Sequence, residues 1–556
     1  MNHNKYQRGY FTPPVKSLKW CEKEFIDKAP IWCSVDLRDG NQALITPMSL
    51  EEKIEFFKLL VEIGFKEIEV GFPAASATEY DFLRTLIEQD LIPDDVAVQV
   101  LTQAREHIIK KTFEALKGCK NAIVHFYNST SFAQRQQVFK KSKDEVKQIA
   151  IEGAKLCKKV ASEIQGNFRF EYSPESFTGT ELDYALEVCN EVINILKPTK
   201  DKKLIINLPD TVQMSLPHIY ASAVEYMSNH LNERENIILS LHSHNDRGCG
   251  VAATELGLLA GGDRVEGTLF GNGERTGNVD IITLAMNLYT HGVAPNLDFS
   301  NLPRICTLYE KVSKMRVYER QPYSGKLVFA AFSGSHQDAI AKGMAYHAEQ
   351  NLKTWSVPYL PIDPSDLGRV YESDVIRINS QSGKGGIAYV LHTHGIDLPV
   401  ACRESFSYFI KDISDKEHKE LSADEILQIF HQNFVNIKTP LEISHFVFNK
   451  KESLNVEMNV LYEGREHFIK GSGNGRLDAV ANALRENLGL EFEIMDYSEH
   501  SLRHGSDSQA ISYVQISSKG QRHFGVGIDT DIINASVFSL ASAINLSLKN
   551  SASMIA

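Results

Sequence analysis

The sequence predicts an α/β protein whose first half is a (β/α)8 (TIM) barrel. Three observations predict it. Short apolar, partly β-branched runs alternate with helix-like segments eight times within about 260 residues, and such alternation implies a parallel sheet closing at eight units. No Gly-x-Gly-x-x-Gly follows the first run, which disfavours an open dinucleotide-binding sheet. Polar, titratable and glycine residues collect just after the runs, the end at which such barrels carry chemistry.

Residues 1–28 read as an irregular arm. The eight expected units over 29–304 pair a strand with a following helix. They are Ile31–Val35 with Leu50–Ile63, Glu67–Val70 with Ala77–Glu88, Val96–Leu101 with Arg105–Leu116, and Ala122–Phe126 with Lys143–Ile164. They continue with Phe168–Tyr172 and Glu181–Leu196, Leu204–Leu208 and Ile219–Met227, Ile237–Leu241 and a helix from Val251, then Arg264–Leu269 and Val279–Tyr289. Residues 305–436 read as helical linker subdomains interrupted by Pro358, Pro361 and Pro364, with a helix over Asp424–Asn433. Residues 437–556 contain a repeat: Gly464–Gly471 resembles Gly520–Gly527 at an offset of 56. Each copy follows an alternating strand (Val456–Leu461, Ser512–Ile516) and precedes an alanine-rich helix (Arg476–Leu484, Ile533–Ile544). Two strand–strand–helix units predict a pseudo-twofold α+β domain.

The loops after the strands supply a candidate site. His242 and His244 end the seventh strand at i and i+2, so both imidazoles leave one face and converge as metal ligands do. Asp39, after the first strand, is the natural anionic partner, and Asn278 offers an amide oxygen from the turn Gly271–Asn278. A mixed N/O set suits Zn2+, Mn2+, Mg2+ or cobalt without choosing among them. It would hold a 2-oxo acid and polarise its ketone, with Arg38 stabilising the developing negative charge. His392-Thr393-His394 is a second His-x-His, outside the barrel with no acid nearby before Asp397, and reads as a decoy. Ser382–Gly386 and Gly271–Asn278 lack the spacing of a phosphate loop.

Bulk properties narrow the partners. At 556 residues the chain has room for two to four domains, and its 43% hydrophobic and 23% charged content is ordinary for a soluble protein. The net charge of −12 argues against nucleic acid or an anionic membrane as the main partner. A polar start and no evident apolar run of about 18 residues predict no signal peptide and no membrane span. Eight scattered cysteines predict reduced thiols in a cytoplasmic protein, and Cys249 reads as structural.

Val35–Leu44, His242–Asp246 and Gly271–Asn278 together resemble the 2-isopropylmalate synthase family, acetyl-CoA-dependent Claisen-condensing enzymes on TIM barrels. Phe332–Asp338 and Val357–Pro364 are similar to the linker of its long form, so the likeness spans nearly the whole chain. The resemblance implies a divalent-metal site of Asp39, His242, His244 and Asn278. It implies that Arg38, His125, Ser173, Glu175 and Thr211 line the 2-oxo acid pocket, and that His336 and Tyr359 are acid–base candidates reaching the partner's site in a domain-swapped homodimer. His336, a histidine suited to proton transfer near neutral pH, is the favoured base and Glu175 its competitor. Acetyl-CoA is the implied co-substrate, K+ an implied activator, and leucine the implied inhibitor, bound by the C-terminal domain with Tyr497 lining its pocket. The implied reaction joins acetyl-CoA to 3-methyl-2-oxobutanoate. Citramalate and homocitrate synthases keep that chemistry with another 2-oxo acid. A carbon–carbon lyase and a catalytically dead amino-acid sensor are the remaining readings.

Overall fold

The computed structural model describes residues 18–331, 333–371, 384–417, 421–450, 453–502 and 508–553. The first 17 residues of the expected arm, and Ser382 and Gly383, lie outside them. The chain divides into two compact units, one of residues 1–328 with 362–370, the other of 329–361 with 371–556.

In the first unit, β1 (Ile31–Ser34), β2 (Glu67–Gly71), β3 (Ala97–Gln103), β4 (Asn121–Ser129), β5 (Asn167–Glu175), β6 (Leu204–Asp210), β7 (Ile237–Ser243) and β8 (Arg264–Gly267) form a closed barrel. Every pairing is parallel, and β8 closes on β1 with Arg264 opposite Ile31. Helices α1 (Leu50–Ile63), α2 (Ala77–Glu88), α3 (Glu106–Ala115), α4 (Lys143–Ser162), α5 (Leu182–Leu196), α6 (Pro217–His230), α7 (Gly250–Leu259) and α8 (Ile281–Thr290) alternate with the strands. The helices start where local chemistry dictates. Ser49 and Ser142 each accept from the amide three residues on, and Glu52 and Glu145 reach back to the serine amides, two complete capping boxes. Phe56, Leu59, Leu60 and Ile63, spaced at three and four, bury the inner stripe of α1. α9 (Leu302–Ser313) packs with this unit, and so do residues 314–328 and 362–370 of the stretch read as linker.

Several strands run further than their apolar runs. β4 continues to Ser129, β5 to Glu175 and β7 to Ser243, so Ser173 and Glu175 sit on a strand rather than a loop, and His125 and His242 lie within their strands. Pattern reading stops a strand at its first polar residue. The ladder does not, because pairing uses the backbone.

The second unit carries α10 (Gly334–Glu349), α11 (Lys384–Thr393), α12 (Val400–Glu417) and α13 (Ala423–Phe434), then β9 (Leu441–Lys450), β10 (Leu454–Tyr462), β11 (Arg465–Gly473), α14 (Arg476–Leu488), β12 (Glu493–Ser501), β13 (Ala510–Ser518), β14 (Gln521–Asp529) and α15 (Ile532–Ser553). Each repeat has three antiparallel strands and a helix, one strand more than expected. Of the missed strands, β12 is largely polar and exposed; β9 buries Leu441 and Ile443 and then shifts phase, with Phe446 and Phe448 packed on the core, so neither shows the unbroken alternation that marks a half-buried strand. The offset of 56 holds for β10 and β13, β11 and β14, and the starts of α14 and α15. It survives in the packing. A Cβ on Gly471 would lie 2.6 Å from Ala483, and one on Gly527 would lie 1.9 Å from the Ala535 carbonyl. Glycine is what lets each helix lie against its own sheet.

α15 corrects the expectation of no membrane-length apolar run. Its window Ile532–Lys549 has mean hydropathy 1.3, enough by composition to cross a bilayer, and 61% of that window is buried inside the protein. Val537, Leu540, Ala541 and Ile544 join Val514 and Ile516 of β13 in one core, which makes it a core helix. Ser536, Ser539, Ser542 and Asn545 interrupt the run and hide it from inspection. All eight cysteines are unpaired.

Candidate active site at the barrel mouth

Arg38 and Asp39 lie on a one-turn π-helix, Asp36–Gly40, directly after β1. Asp36 anchors the turn by accepting from Ser34 Oγ (2.8 Å) and the Leu269 amide (3.1 Å). Burial pushes its carboxyl up to about 7 despite those bonds. Arg38 donates through Nε to Glu69 (2.5 Å) and through Nη1 to Asp39 (2.6 Å). Burial opposes the Asp39 charge, but Arg38 beside it, with His242 and His244, holds the carboxyl down at about 2.

Asp39 Oδ2 is the centre of the cluster. His242 Nε2 stands 4.0 Å away, His244 Nε2 3.9 Å, and Asn278 Nδ2 donates to it at 2.7 Å. The loop before Asn278 closes on itself, with the Asn278 amide donating to the Gly271 carbonyl at 3.0 Å. A Cβ on Gly277 (φ 95°) would lie 1.9 Å from that carbonyl, so the turn requires glycine. His242 Nδ1 meets Glu266 Oε2 at 2.7 Å, which assigns a proton to Nδ1 and turns Nε2 toward Asp39; burial opposes a charge on the ring, but the Glu266 carboxylate raises it. His244 is pressed down to about 4 by burial and by His242, so its ring is neutral. Within this cluster two buried atoms lack hydrogen-bond partners among the described residues, Asn278 Oδ1 and His244 Nδ1. Three converging donors and an orphaned amide oxygen beside them fit a divalent cation.

A cavity of about 210 Å³ opens over the cluster. It is lined by seven of the predicted barrel residues besides His125: Arg38, Asp39, Ser173, Glu175, Thr211, His242 and His244. His125 lines it too, with Nδ1 2.9 Å from Glu69 and Nε2 2.7 Å from Ser173 Oγ. Thr211 Oγ1 accepts the Ser176 amide at 3.0 Å. Burial raises the Glu175 carboxyl, against the pull of Arg38.

Beneath the cavity the barrel interior is polar, and sequence reasoning missed its use. Arg264, fully buried, donates to Glu67 (2.6 Å), Gln99 (2.7 Å), Ser240 (2.8 Å) and Glu266 (2.8 Å). Gln99 also reaches Glu266 (2.8 Å), and Asn207 bridges Ser173 (3.0 Å) and Glu266 (3.2 Å). The bonds from Arg264 to Glu67 and Gln99, and from Glu266 to Gln99 and Asn207, join strands that are not neighbours, which only the barrel interior allows. The signal was present: Glu67/Glu69 and Arg264/Glu266 are charged i, i+2 pairs inside strand-like runs, and that period puts each pair on one face.

The remaining predicted residues belong to the second unit. His336, in the first turn of α10, stacks on Tyr359 with ring centroids 4.0 Å apart, and both are exposed. Tyr497, on β12, bonds Glu499 and Ser536 Oγ, the latter at 2.9 Å. The decoy histidines do not converge: His392 Nδ1 is taken by Asp397, and His394 Nδ1 by the Val390 carbonyl at 2.9 Å.

Fold and site together define a barrel enzyme of the HMGL-like class, whose family pattern matches residues 29–308. Two further patterns follow, an alpha-isopropylmalate synthase post-catalytic domain over 326–392 and a LeuA allosteric (dimerisation) domain over 415–548. The chain is 73% identical to the 2-isopropylmalate synthase of Helicobacter hepaticus, over 98% of this chain and 100% of that one. It is 60% identical to that of Desulfitobacterium hafniense over 100% of both, and 54% identical to that of Clostridium acetobutylicum over 98% and 100%. The chain belongs to the 2-isopropylmalate synthase family.

Proposed function

We propose that this protein condenses acetyl-CoA with 3-methyl-2-oxobutanoate and hydrolyses the thioester, giving 2-isopropylmalate and CoA under feedback inhibition by leucine. The observation that carries the reading is the meeting of Arg38, Asp39, His242 and His244 in one small cavity. Asp39, His242, His244 and Asn278 would hold a divalent ion (Mg2+, Mn2+ or Zn2+), which when bound supplies Lewis acidity at the ketone oxygen. Arg38, locked by Glu69 and Asp39, keeps Nη2 for the substrate and stabilises the negative charge that develops as the new carbon–carbon bond forms. A base removes a methyl proton from acetyl-CoA, the carbanion adds to C2 of the oxo acid, and water cleaves the thioester to release CoA. His336 with Tyr359 is the favoured acid–base pair, acting on the partner's barrel in a domain-swapped homodimer, and Glu175 is the alternative base. The C-terminal repeats bind leucine near Tyr497, K+ is an activator, and the protein works in the cytoplasm.

A 2-oxoglutarate-using synthase is disfavoured by charge. A distal carboxylate needs a second cation, and the other arginine lining the cavity, Arg275, is already held by Asp246 at 2.8 Å. The test is CoA thiol release from acetyl-CoA with divalent metal, comparing 3-methyl-2-oxobutanoate, pyruvate and 2-oxoglutarate, with and without leucine. Release favouring 3-methyl-2-oxobutanoate and suppressed by leucine is expected. Preference for pyruvate would reassign the protein to citramalate synthesis, and silence with every acid would overturn the reaction.

A further inference from the structure

Glu171 is fully buried on β5, and as a carboxylate neither of its oxygens receives a hydrogen bond. Its surroundings commit no donor to it. Oε1 lies 3.4 Å from His125 Nε2, whose shorter contact, at 2.7 Å, is with Ser173 Oγ, while Nδ1 faces Glu69 at 2.9 Å. Glu266, His125 and Glu171 bring ligand atoms within 4.8 Å of one another. The nearest donor, Arg264 Nη1, is 3.3 Å from Oε2 and already serves Glu266 and Ser240 at 2.8 Å. Two carboxylates that share one guanidinium nitrogen in a dry interior do not both ionise. A proton on Glu171 turns the orphaned oxygen into a donor and resolves the mismatch.

We infer that Glu171 is a positioning residue of the site: as a neutral carboxylic acid it donates to Glu266 and holds that carboxylate on Nδ1 of His242. The direction of the Glu171 carboxyl agrees, since burial and then the Glu266 charge raise it. The chain Glu171–Glu266–His242 ties the buried network to the ring whose Nε2 faces Asp39.

The test combines spectroscopy and kinetics. Infrared spectra of the protein without metal or substrate, at about pH 9, are expected to show a carboxylic-acid C=O band that disappears in Glu171→Gln. The amide, neutral and of the same size, should cost kcat about threefold, whereas Glu171→Ala costs it about a hundredfold, the range of a lost outer-sphere partner. The kinetic arm rests on the reaction proposed above and the infrared arm does not, so their failures are distinguishable. Absence of the band from the wild-type protein overturns the inference. So does its persistence in Glu171→Gln, a Glu171→Gln protein as impaired as Glu171→Ala, or one that fails to fold.

Discussion

The chain carries the tripeptide pattern His-x-His twice, at His242/His244 and at His392/His394, and the two copies do opposite things. At the end of β7, His242 on the strand and His244 one residue past it keep the period of two, and both rings lie on one side, buried, facing Asp39. His392 lies in the last turn of α11 and His394 just follows the helix, both exposed; near a helical turn residues two apart diverge, and each imidazole finds its own local partner. A motif is therefore a statement about the element that carries it. The acid completes the distinction: Asp39 comes from another strand end and serves both rings, whereas Asp397 serves His392 alone.

That comparison breaks if the two pairs behave alike. His242→Ala should lower condensation roughly a thousandfold and abolish saturable binding of Mn2+ by calorimetry. A double His392→Ala/His394→Ala protein should stay within about twofold in both measurements. Comparable Mn2+ affinity in the two variants would dissolve the distinction.

The next effect sharpens why the first pair works. Glu266→Gln keeps the shape of the His242 contact but removes its charge, and should weaken Mn2+ binding about 10–100-fold, with His244 and Asp39 untouched. An unchanged affinity would mean that strand geometry alone suffices.

Much of this was legible in the sequence, and what was missed shares a cause. The eight units, the turn Gly271–Asn278 and the convergence of Arg38, Asp39, His242 and His244 follow from local periodicity and turn chemistry. Glu69, Glu171, Arg264 and Glu266 escaped because their meaning depends on barrel closure: Glu67 and Arg264 are 197 residues apart and share a bond of 2.6 Å. His336 and Tyr359 show the same limit from the other side. They are exposed residues stacked on each other, the role proposed for them depends on what lies opposite, and nothing in their own spacing names it.

Acidity separates the two regions next. Asp36, which anchors the Arg38–Asp39 turn, has a folded value of about 7 against an ordinary 3.8. The folded state thus keeps a proton that the unfolded chain has released, so its contribution is lost as pH rises from about 4 through about 7. The thermal midpoint of the wild-type protein should fall across that window relative to Asp36→Asn, by an amount worth a few kcal/mol on the order of the shift. Parallel pH curves for the two proteins would show that Asp36 is not held neutral.

The smallest effect lies at the decoy, and its sign is opposite. The Asp397 carboxyl is lowered by its hydrogen bond to His392, both groups being exposed. A lowered acid stabilises above its ordinary value and loses that contribution as pH falls through the folded one. In His392→Ala the Asp397 carboxyl, followed by NMR, should return upward toward its ordinary range. The thermal midpoint should scarcely move, because solvent-exposed pairs contribute little. An Asp397 titration indifferent to His392 would show that the contact is not populated in solution. A large loss of stability would mean that the second His-x-His is more than a solvated pair.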